Sequence, residues 1–228
     1  IEASFLGGVA ATYFKLGMKV RLHHPNEKPA TGKISAIHCD NAQGDKQVVI
    51  DFKNPVHASP GDVVTWDLPA AKIKAGRLHA PACDNLAGVA AAIAAFENIV
   101  RSRAKATADL DVRVLLTRAE EVGFIGAIAA CKSKILPKGS RIIAIENSRS
   151  FADSPIGGGP IVRVGDRTST FDPQLTHRVG QIAQTIATGD SSFNWQRKLM
   201  PGGTCEATAY QTLGYTATCV CLPLGNYH

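Results

Sequence analysis

The chain has 228 residues, of which 45% are hydrophobic and 19% are charged, a composition typical of one large or two small globular domains. Its net charge is +6, but the basic residues are scattered, which favours a solvated basic surface and no nucleic-acid partner. No run of about 18 uncharged apolar residues occurs, so the sequence predicts no transmembrane helix and no membrane partner. The apolar run at residues 87–95 is short and is expected to form a buried helix.

The chain begins at Ile1 rather than Met and stops at His228, directly after a strand-like run, so we expect both ends to be incomplete. It contains six cysteines and no CxxC pair. In a chain of this length, that usage favours reduced thiols and a cytoplasmic location over a disulfide scaffold. Cys219 and Cys221 are two residues apart, which predicts that both side chains lie on one face of a strand.

Residues 1–75 are β-rich. Alternating or compact apolar runs predict strands at residues 19–22, 32–37 and 48–52, and turn residues separate these runs. Short strands at this spacing indicate a small barrel or sandwich.

From residue 76 onward, predicted helices and strands alternate. The helices are expected at residues 84–103, after 123, at 174–187 and at 207–213, and the strands at 111–116, 141–145 and 215–222. This alternation is typical of an α/β fold with a mostly parallel sheet flanked by helices. In such sheets the functional site lies beyond the carboxyl ends of the strands.

Two adjacent acids, Glu120 and Glu121, follow a predicted buried strand. Like charges side by side repel unless a cation neutralises them or one of them keeps a proton. A metal ion explains the pair best, because one carboxylate can bind the ion while the other handles the proton of an attacking water. Glu146 and His228 follow strand-like runs at the same edge of the sheet, and Asp84 stands at a helix start.

Each of these last three residues also has an ordinary structural interpretation. Asp84 alone is typical of a helix N-cap, Glu146 alone of a turn cap, and His228 alone of a structural histidine. Together they supply oxygen and nitrogen donors that suit zinc, cobalt or manganese. A site with two ions about 3.5–4 Å apart also needs a carboxylate able to bridge them.

Five segments carry a resemblance to the co-catalytic metallopeptidases. In chain order they are Asp84-Asn85-Leu86-Ala87-Gly88, Glu120-Glu121-Val122-Gly123, Glu146-Asn147-Ser148, Gly202-Gly203-Thr204 and Leu222-Pro223-Leu224-Gly225-Asn226-Tyr227-His228. Over residues 75–228 the chain is similar to the tetrahedral and glutamyl aminopeptidases of metallopeptidase family 42, a group also called cellulase M. The β-rich residues before this stretch resemble the small domain that the family inserts into its catalytic domain.

The resemblance implies a role for each acid. Asp84 bridges two divalent metal ions, with zinc the first choice and cobalt or manganese the alternatives. Glu121 and His228 complete the shell of one ion, and Glu146 binds the other. Glu120 is the general base that takes a proton from the attacking water and later protonates the leaving amine.

The resemblance also implies the domain organisation. An α/β catalytic domain of the zinc-peptidase type spans residues 76–228, and a small inserted β-barrel-like domain spans residues 1–75. The small domain is expected to build contacts between subunits, giving a dimer or a larger closed oligomer up to a dodecamer. The substrates are expected to be peptides.

Three departures from the family pattern keep alternatives open. The family uses a histidine followed two residues later by an aspartate ahead of the inserted domain, and the histidines before Asp84 lie inside or just after the β-rich region, so none is assigned that role. Glu146 stands where aminopeptidases commonly have aspartate, and glutamate is commoner in the carboxypeptidase and deacylase branches. Cys205 stands where an acid is frequent, and a small buried thiol is expected there.

Three functions therefore remain at this point. The first is a metal-dependent aminopeptidase that hydrolyses N-terminal residues from peptides. The second is a carboxypeptidase- or deacylase-type amidohydrolase on the same two-metal scaffold. The third is a non-catalytic assembly protein that kept the fold and lost a ligand.

Overall fold

Residues 1–6, 11–39, 46–102 and 110–226 are described in the computed structural model of the chain. The chain forms two compact units, of which the first is Ile1–Pro81 and the second begins at Ala82. Both α-helices and β-sheets are present, so the expected α/β class is confirmed.

The first unit is built from antiparallel strands. Its described residues contain β1 Glu2–Ser4, β2 Lys19–His23, β3 Ala30–Cys39, β4 Lys46–Phe52, β5 Val63–Trp66, β6 Lys72–Lys74 and β7 Arg77–His79. Five strands form one sheet in the order β1-β4-β3-β2-β5, and β6 pairs with β7. The three strands predicted from the sequence lie within β2, β3 and β4, whereas closure of this sheet into a barrel stays a prediction.

Alternation of side chains explains why this sheet has a buried face. In β2, Val20 and Leu22 are each 3% exposed, while the intervening Arg21 faces solvent, as the two-residue period of a strand requires. Ile34 of β3 lies opposite Ile50 of β4, and both side chains belong to the same buried cluster. The sheet therefore has one apolar face, which forms the core of the first unit.

The second unit combines helices with a mixed sheet. Its described elements are α1 Cys83–Ser102, α2 Ile125–Lys132, β8 Arg141–Arg149, β9 Ile161–Gly165, α3 Pro173–Gly189, β10 Gln196–Leu199, α4 Glu206–Thr212 and β11 Thr216–Leu224. The strand order is β10-β9-β11-β8. The pairs β11–β8 and β10–β9 are parallel, but β11–β9 is antiparallel.

Strand β11 runs through the core of the second unit. It has neighbours on both sides, and Ala217, Cys219 and Cys221 on it have no exposed area. Cys219 and Cys221 do lie on one face, with their Sγ atoms 3.4 Å apart. Ala207 and Tyr210 of α4 pack into the same cluster. Helix α4 is thus fixed against the sheet by apolar contacts.

Two of the predicted strands differ from the structure. Residues 111–116 form no strand, because a strand needs a hydrogen-bonded neighbour and this segment pairs with none of the described strands. Its apolar side chains are accordingly exposed, Leu116 to 58%. The strand predicted at residues 141–145 is longer than expected, since β8 continues through Glu146 to Arg149.

Residues 87–95 form a helix as expected, but the expectation that this helix is buried is wrong. These residues belong to α1, in which Gly88 is the buried residue. By length and composition α1 is also long and apolar enough to cross a membrane, contrary to the sequence-based expectation. A single helix of this kind is weak evidence for a membrane protein, because the core helices of soluble proteins can be equally long and apolar. The absence of a membrane partner stays a prediction.

The core of the first unit gives a test of this packing. Replacing Ile50, which is 1% exposed, by alanine leaves a cavity opposite Ile34 and is expected to lower the free energy of unfolding by about 2–4 kcal/mol. Hydrogen exchange of the β3 and β4 amides measures this loss locally. The matched control is Val63→Ala on β5, where the side chain is 59% exposed. Equal effects of the two substitutions would contradict the assigned core.

Candidate functional site

Side-chain amides tie the start of α1 to strand β8. Asn85 Nδ2 donates a hydrogen bond to the carbonyl oxygen of Ile145 at 2.7 Å. Asn147 Nδ2 donates to Asn85 Oδ1 at 2.9 Å and to the carbonyl oxygen of Cys83 at 2.8 Å. Asp84 lies between Cys83 and Asn85 and has non-helical backbone angles. These bonds bring Asp84 to the strand that carries Glu146.

Close packing at this helix start requires a glycine one turn later. A Cβ atom at Gly88 would lie 2.1 Å from Asn85 Oδ1, far inside van der Waals contact. The Asp-Asn-x-x-Gly spacing noted in the sequence therefore has a steric cause, since only Gly88 leaves room for the Asn85 side chain.

Glu146 is a half-buried carboxyl group inside β8. Burial, acting together with the nearby Cys205, Glu120 and Asp84, raises its pKa to about 9. Its Oε1 accepts a hydrogen bond from the backbone N–H of Asn147 at 3.0 Å, which opposes that shift. Without a cation beside it, Glu146 is therefore protonated at neutral pH.

Glu120 lies in a tight turn before α2. Its carbonyl oxygen accepts hydrogen bonds from the backbone N–H groups of Gly123 and Phe124 at 3.1 and 3.0 Å. Burial, together with the charges of Glu121, Glu206 and Asp84, raises the pKa of its side chain to about 7. A carboxyl group with this pKa can both accept and release a proton near neutrality.

The structure thus brings three of the predicted residues together. Asp84 and Glu120 both raise the pKa of Glu146, and Asp84 also raises the pKa of Glu120. Glu121 adjoins this group through Glu120 and is exposed. His228 lies outside the described residues.

Sequence reasoning missed one carboxylate of the site, Glu206. It opens α4, and its Oε1 accepts a hydrogen bond of 2.6 Å from Thr117 Oγ1. Burial raises the pKa of Glu206, and the bond from Thr117 opposes that shift. The signal in the sequence was an acid directly after Gly202-Gly203-Thr204-Cys205, but the partner Thr117 is 89 positions away.

A separate carboxylate, Asp166, holds α4 in place. Its Oδ2 accepts hydrogen bonds from the Cys205 backbone N–H at 3.1 Å and from Thr208 Oγ1 at 2.6 Å. Its Oδ1 accepts from the backbone N–H groups of Thr168 and Ser169 at 2.8 and 3.0 Å. Burial works against the charge of Asp166, but these bonds lower its pKa overall. Asp166 thereby fixes the position of the first residues of α4.

A buried guanidinium lies behind the carboxylates. Arg163 on β9 is 4% exposed, and its Nη1 lies 3.7 Å from the Sγ of Cys221. Burial raises the pKa of the Cys221 thiol, but the hydrogen bond with Cys219 and the charge of Arg163 lower it overall. Arg163 also lowers the pKa of Glu120. Cys205 has no exposed area, as expected for a small buried thiol.

The carboxylates of the candidate site are ligands of the kind that bind divalent cations. Crowded carboxyl groups with raised pKa values are the arrangement that a cation would neutralise. Among the described residues, no three side chains of His, Cys, Asp or Glu meet around one point suited to an ion.

Comparison with known proteins identifies the family. A family model described as M42 glutamyl aminopeptidase matches residues 2–228. The chain belongs to the M42 glutamyl aminopeptidase family. This family implies divalent metal ions, in agreement with the donor set described above. No curated protein matches the chain.

Solved structures of M42-like aminopeptidases share the fold. A TET1 peptidase of Pyrococcus horikoshii, which can assemble into a tetrahedron or a large octahedral shell, is 20% identical with a TM-score of 0.70 and covers 93% of this chain. An aminopeptidase of Desulfurococcus kamchatkensis is 19% identical with a TM-score of 0.71 and covers 98%. A TET aminopeptidase of a marine sediment Thaumarchaeota archaeon is 18% identical with a TM-score of 0.73 and covers 96%. This chain spans 65% of the length of each of these structures.

The Asp166 network predicts a local loss of stability on substitution. Asp166→Asn keeps the size of the side chain but replaces one acceptor oxygen by a donor facing N–H or O–H groups, so unfolding of the second unit is expected to become easier by about 1–3 kcal/mol. Because the pKa of Asp166 is lower in the folded chain, its contribution is present above the unfolded pKa and is lost as pH falls through the folded pKa. Urea unfolding at pH 7 and pH 3 measures both effects. A difference between the variants that is the same at both pH values would contradict this assignment.

Proposed function

We propose that the chain is a metal-dependent aminopeptidase that hydrolyses N-terminal residues from peptides. The observation that carries this proposal is the convergence of Asp84, Glu120 and Glu146, since Asp84 raises the pKa of both glutamates and Glu120 raises that of Glu146. In a member of the M42 family, such a cluster is best explained as the metal centre together with its base.

We assign the ligands as the resemblance implies. Asp84 would bridge the two ions, Glu121 and His228 would hold one of them, and Glu146 would hold the other. Zinc is the proposed metal, because a tetrahedral or five-coordinate site of carboxylate and imidazole donors suits it. When bound, the ions would polarise the scissile carbonyl and lower the pKa of a water molecule.

Glu120 would move the proton in this reaction. Its carboxylate would accept one proton from the attacking water and later deliver it to the nitrogen of the leaving amine. Hydrogen bonds from the backbone N–H groups of Gly123 and Phe124 hold the Glu120 backbone in a tight turn. The Glu120 side chain therefore extends from a fixed backbone position. Arg163 and Glu206 shift the proton affinity of Glu120 in opposite directions.

The two alternative functions are less well supported. A carboxypeptidase or deacylase was suggested by Glu146, but the family that matches the chain is one of aminopeptidases. A non-catalytic assembly protein would not need three carboxyl groups held close together at a cost in charge repulsion.

We also propose that the first unit, residues 1–75 in the sequence-based division, builds contacts between subunits of a closed oligomer. Support comes from the shells formed by the TET1 peptidase of Pyrococcus horikoshii. Apolar side chains on the surface of the first unit add to it, including Leu16 at 67% and Ile73 at 79% exposure. A cytoplasmic location is supported by the free thiols of Cys83, Cys131, Cys205, Cys219 and Cys221.

Substitution of the base provides the test of the activity. Glu120→Gln keeps the shape of the side chain but cannot accept the proton, so kcat for leucine p-nitroanilide is expected to fall by about 10²–10⁴-fold. Elemental analysis should still find two divalent ions per chain, because Glu120 is not assigned as a ligand.

The matched control is Glu97→Gln on α1, since Glu97 pairs with Arg101 at the surface. Its activity should stay within about twofold of the unaltered protein, as expected for an exposed ion pair. Undiminished hydrolysis by the Glu120→Gln protein, or complete loss of metal from it, would contradict the assignment of Glu120 as the base.

The assembly proposal predicts a large particle in solution. Analytical ultracentrifugation at micromolar concentration is expected to show a closed species of two to twelve chains, with no continuous series of larger ones. Ile73→Asp places a charge on the exposed apolar surface of the first unit and should shift the distribution toward smaller species. A profile containing only monomer would count against assembly.

A further inference from the structure

A cavity of about 560 Å³ lies between helix α3 and the strands β9 and β10. Cavities of this size hold small organic ligands in many proteins. None of Asp84, Glu120 and Glu146 lines it, so it is not part of the carboxylate cluster of the candidate site. The proposed peptidase reaction leaves this cavity without a role.

The inner surface of the cavity is apolar. Val162 of β9 and Phe171 line it and are each 3% exposed, so its floor belongs to the core of the second unit. Trp195 also lines it, and its indole ring lies beside Gly180 of α3, where an added Cβ atom would come within 3.7 Å of Trp195 Cη2. An indole ring above such a floor suits a flat aromatic ligand, because aromatic rings stack on one another with an offset.

The fold holds α3 against the sheet without help from a ligand. Thr176 Oγ1 of α3 and Thr218 Oγ1 of β11 are 2.7 Å apart and share a hydrogen bond. The backbone N–H of Asp172, directly before α3, donates to the carbonyl oxygen of Ala217 at 3.0 Å. The cavity is therefore preformed, and a ligand that enters it pays little for ordering the protein.

The charges around the cavity favour an anionic group on the ligand. Arg197 of β10 lies opposite Val162 in the parallel pair with β9, so both side chains are on the same face of the sheet. Arg197 is paired with no acid in the described part of the chain. His177 of α3 is a second polar lining residue, and no acid is among the described lining residues. The nearby Asp172 instead caps α3, because its Oδ1 accepts a hydrogen bond from the backbone N–H of Leu175 at 2.7 Å.

We propose that this cavity binds an aromatic carboxylate, that is, a flat ring system that bears one carboxylate group. The ring would lie against Trp195 and above Phe171, and the carboxylate would accept hydrogen bonds from the Arg197 guanidinium, whose planar fork matches it in shape. A cation of similar shape is disfavoured because it would face Arg197. This proposal does not depend on the proposed aminopeptidase function.

NMR spectroscopy of the whole chain tests where such a ligand binds. The probes are 1-naphthylacetate, 1-naphthylacetamide and 1-naphthylmethylamine, which share one ring system and are anionic, neutral and cationic at pH 7. The chain has two tryptophans, and the indole N–H signal of Trp195 is assigned by its absence from the Trp195→Phe variant. Titration with 1-naphthylacetate should shift this signal and leave that of Trp66, which packs in the core of the first unit, in place.

Calorimetric titration with the same probes tests the role of the charge. The carboxylate should bind about 10–100-fold more tightly than the amide, as a hydrogen bond between charged groups provides, and the amine should bind most weakly. Arg197→Gln should reduce the preference for the carboxylate over the amide to within about threefold. The matched control is Arg178→Gln, because Arg178 is an exposed arginine of α3 that does not line the cavity, and it should keep the full preference.

Trp195→Leu separates the contribution of the ring from that of the charge. It should weaken the carboxylate and the amide alike, by about 2–10-fold, through loss of stacking, and leave their ratio unchanged. A Trp195 signal that does not move in millimolar 1-naphthylacetate would overturn the proposal. Equal affinity for carboxylate and amide would also overturn it, as would a preference that survives Arg197→Gln, since the carboxylate would then be bound elsewhere, for example by metal ions.

Discussion

The hydrogen bonds between the side chains of Asn85 and Asn147 are the interaction on which the site depends. They join the start of α1 to β8, two elements 60 residues apart in the chain. They help to keep Asp84 near Glu146, although two carboxyl groups repel each other when charged. Neutral amide side chains can hold α1 and β8 together because each amide both donates and accepts hydrogen bonds. Amides also stay uncharged at every pH.

A second constraint is the cost of burying acids. Glu120, Glu146 and Glu206 all have raised pKa values because burial disfavours their charged forms. Asp166 shows the opposite case, since its hydrogen bonds outweigh burial and keep it charged. The difference separates the two roles: Asp166 is satisfied by the protein and is structural, whereas the other three are left in need of a proton or a cation. Such unsatisfied groups are typical of functional sites.

Much of the fold could be predicted from local pattern. The alternation in β2 and the helical spacing in α3 depend on side chains two to four residues apart, which the sequence displays directly. The segment at residues 111–116 has the apolar pattern of a strand, but pairing depends on a distant neighbour that the pattern does not contain. Glu206 was missed for a similar reason, because its role depends on interactions with Thr117 and Glu120, which are distant in sequence, rather than on adjacent residues. The acids at positions 84, 120 and 146 could be predicted as site residues because each belongs to a short motif.

The permanent charge of Arg163 helps to explain how several acids can cluster inside the fold. A guanidinium does not lose its proton at any pH that a protein tolerates, so this buried group is a permanent internal counterion behind the carboxylates. It partly neutralises the negative field at Glu120, whose pKa it lowers. Because the counterion is held by β9 rather than by solvent, added salt cannot replace it or screen it easily.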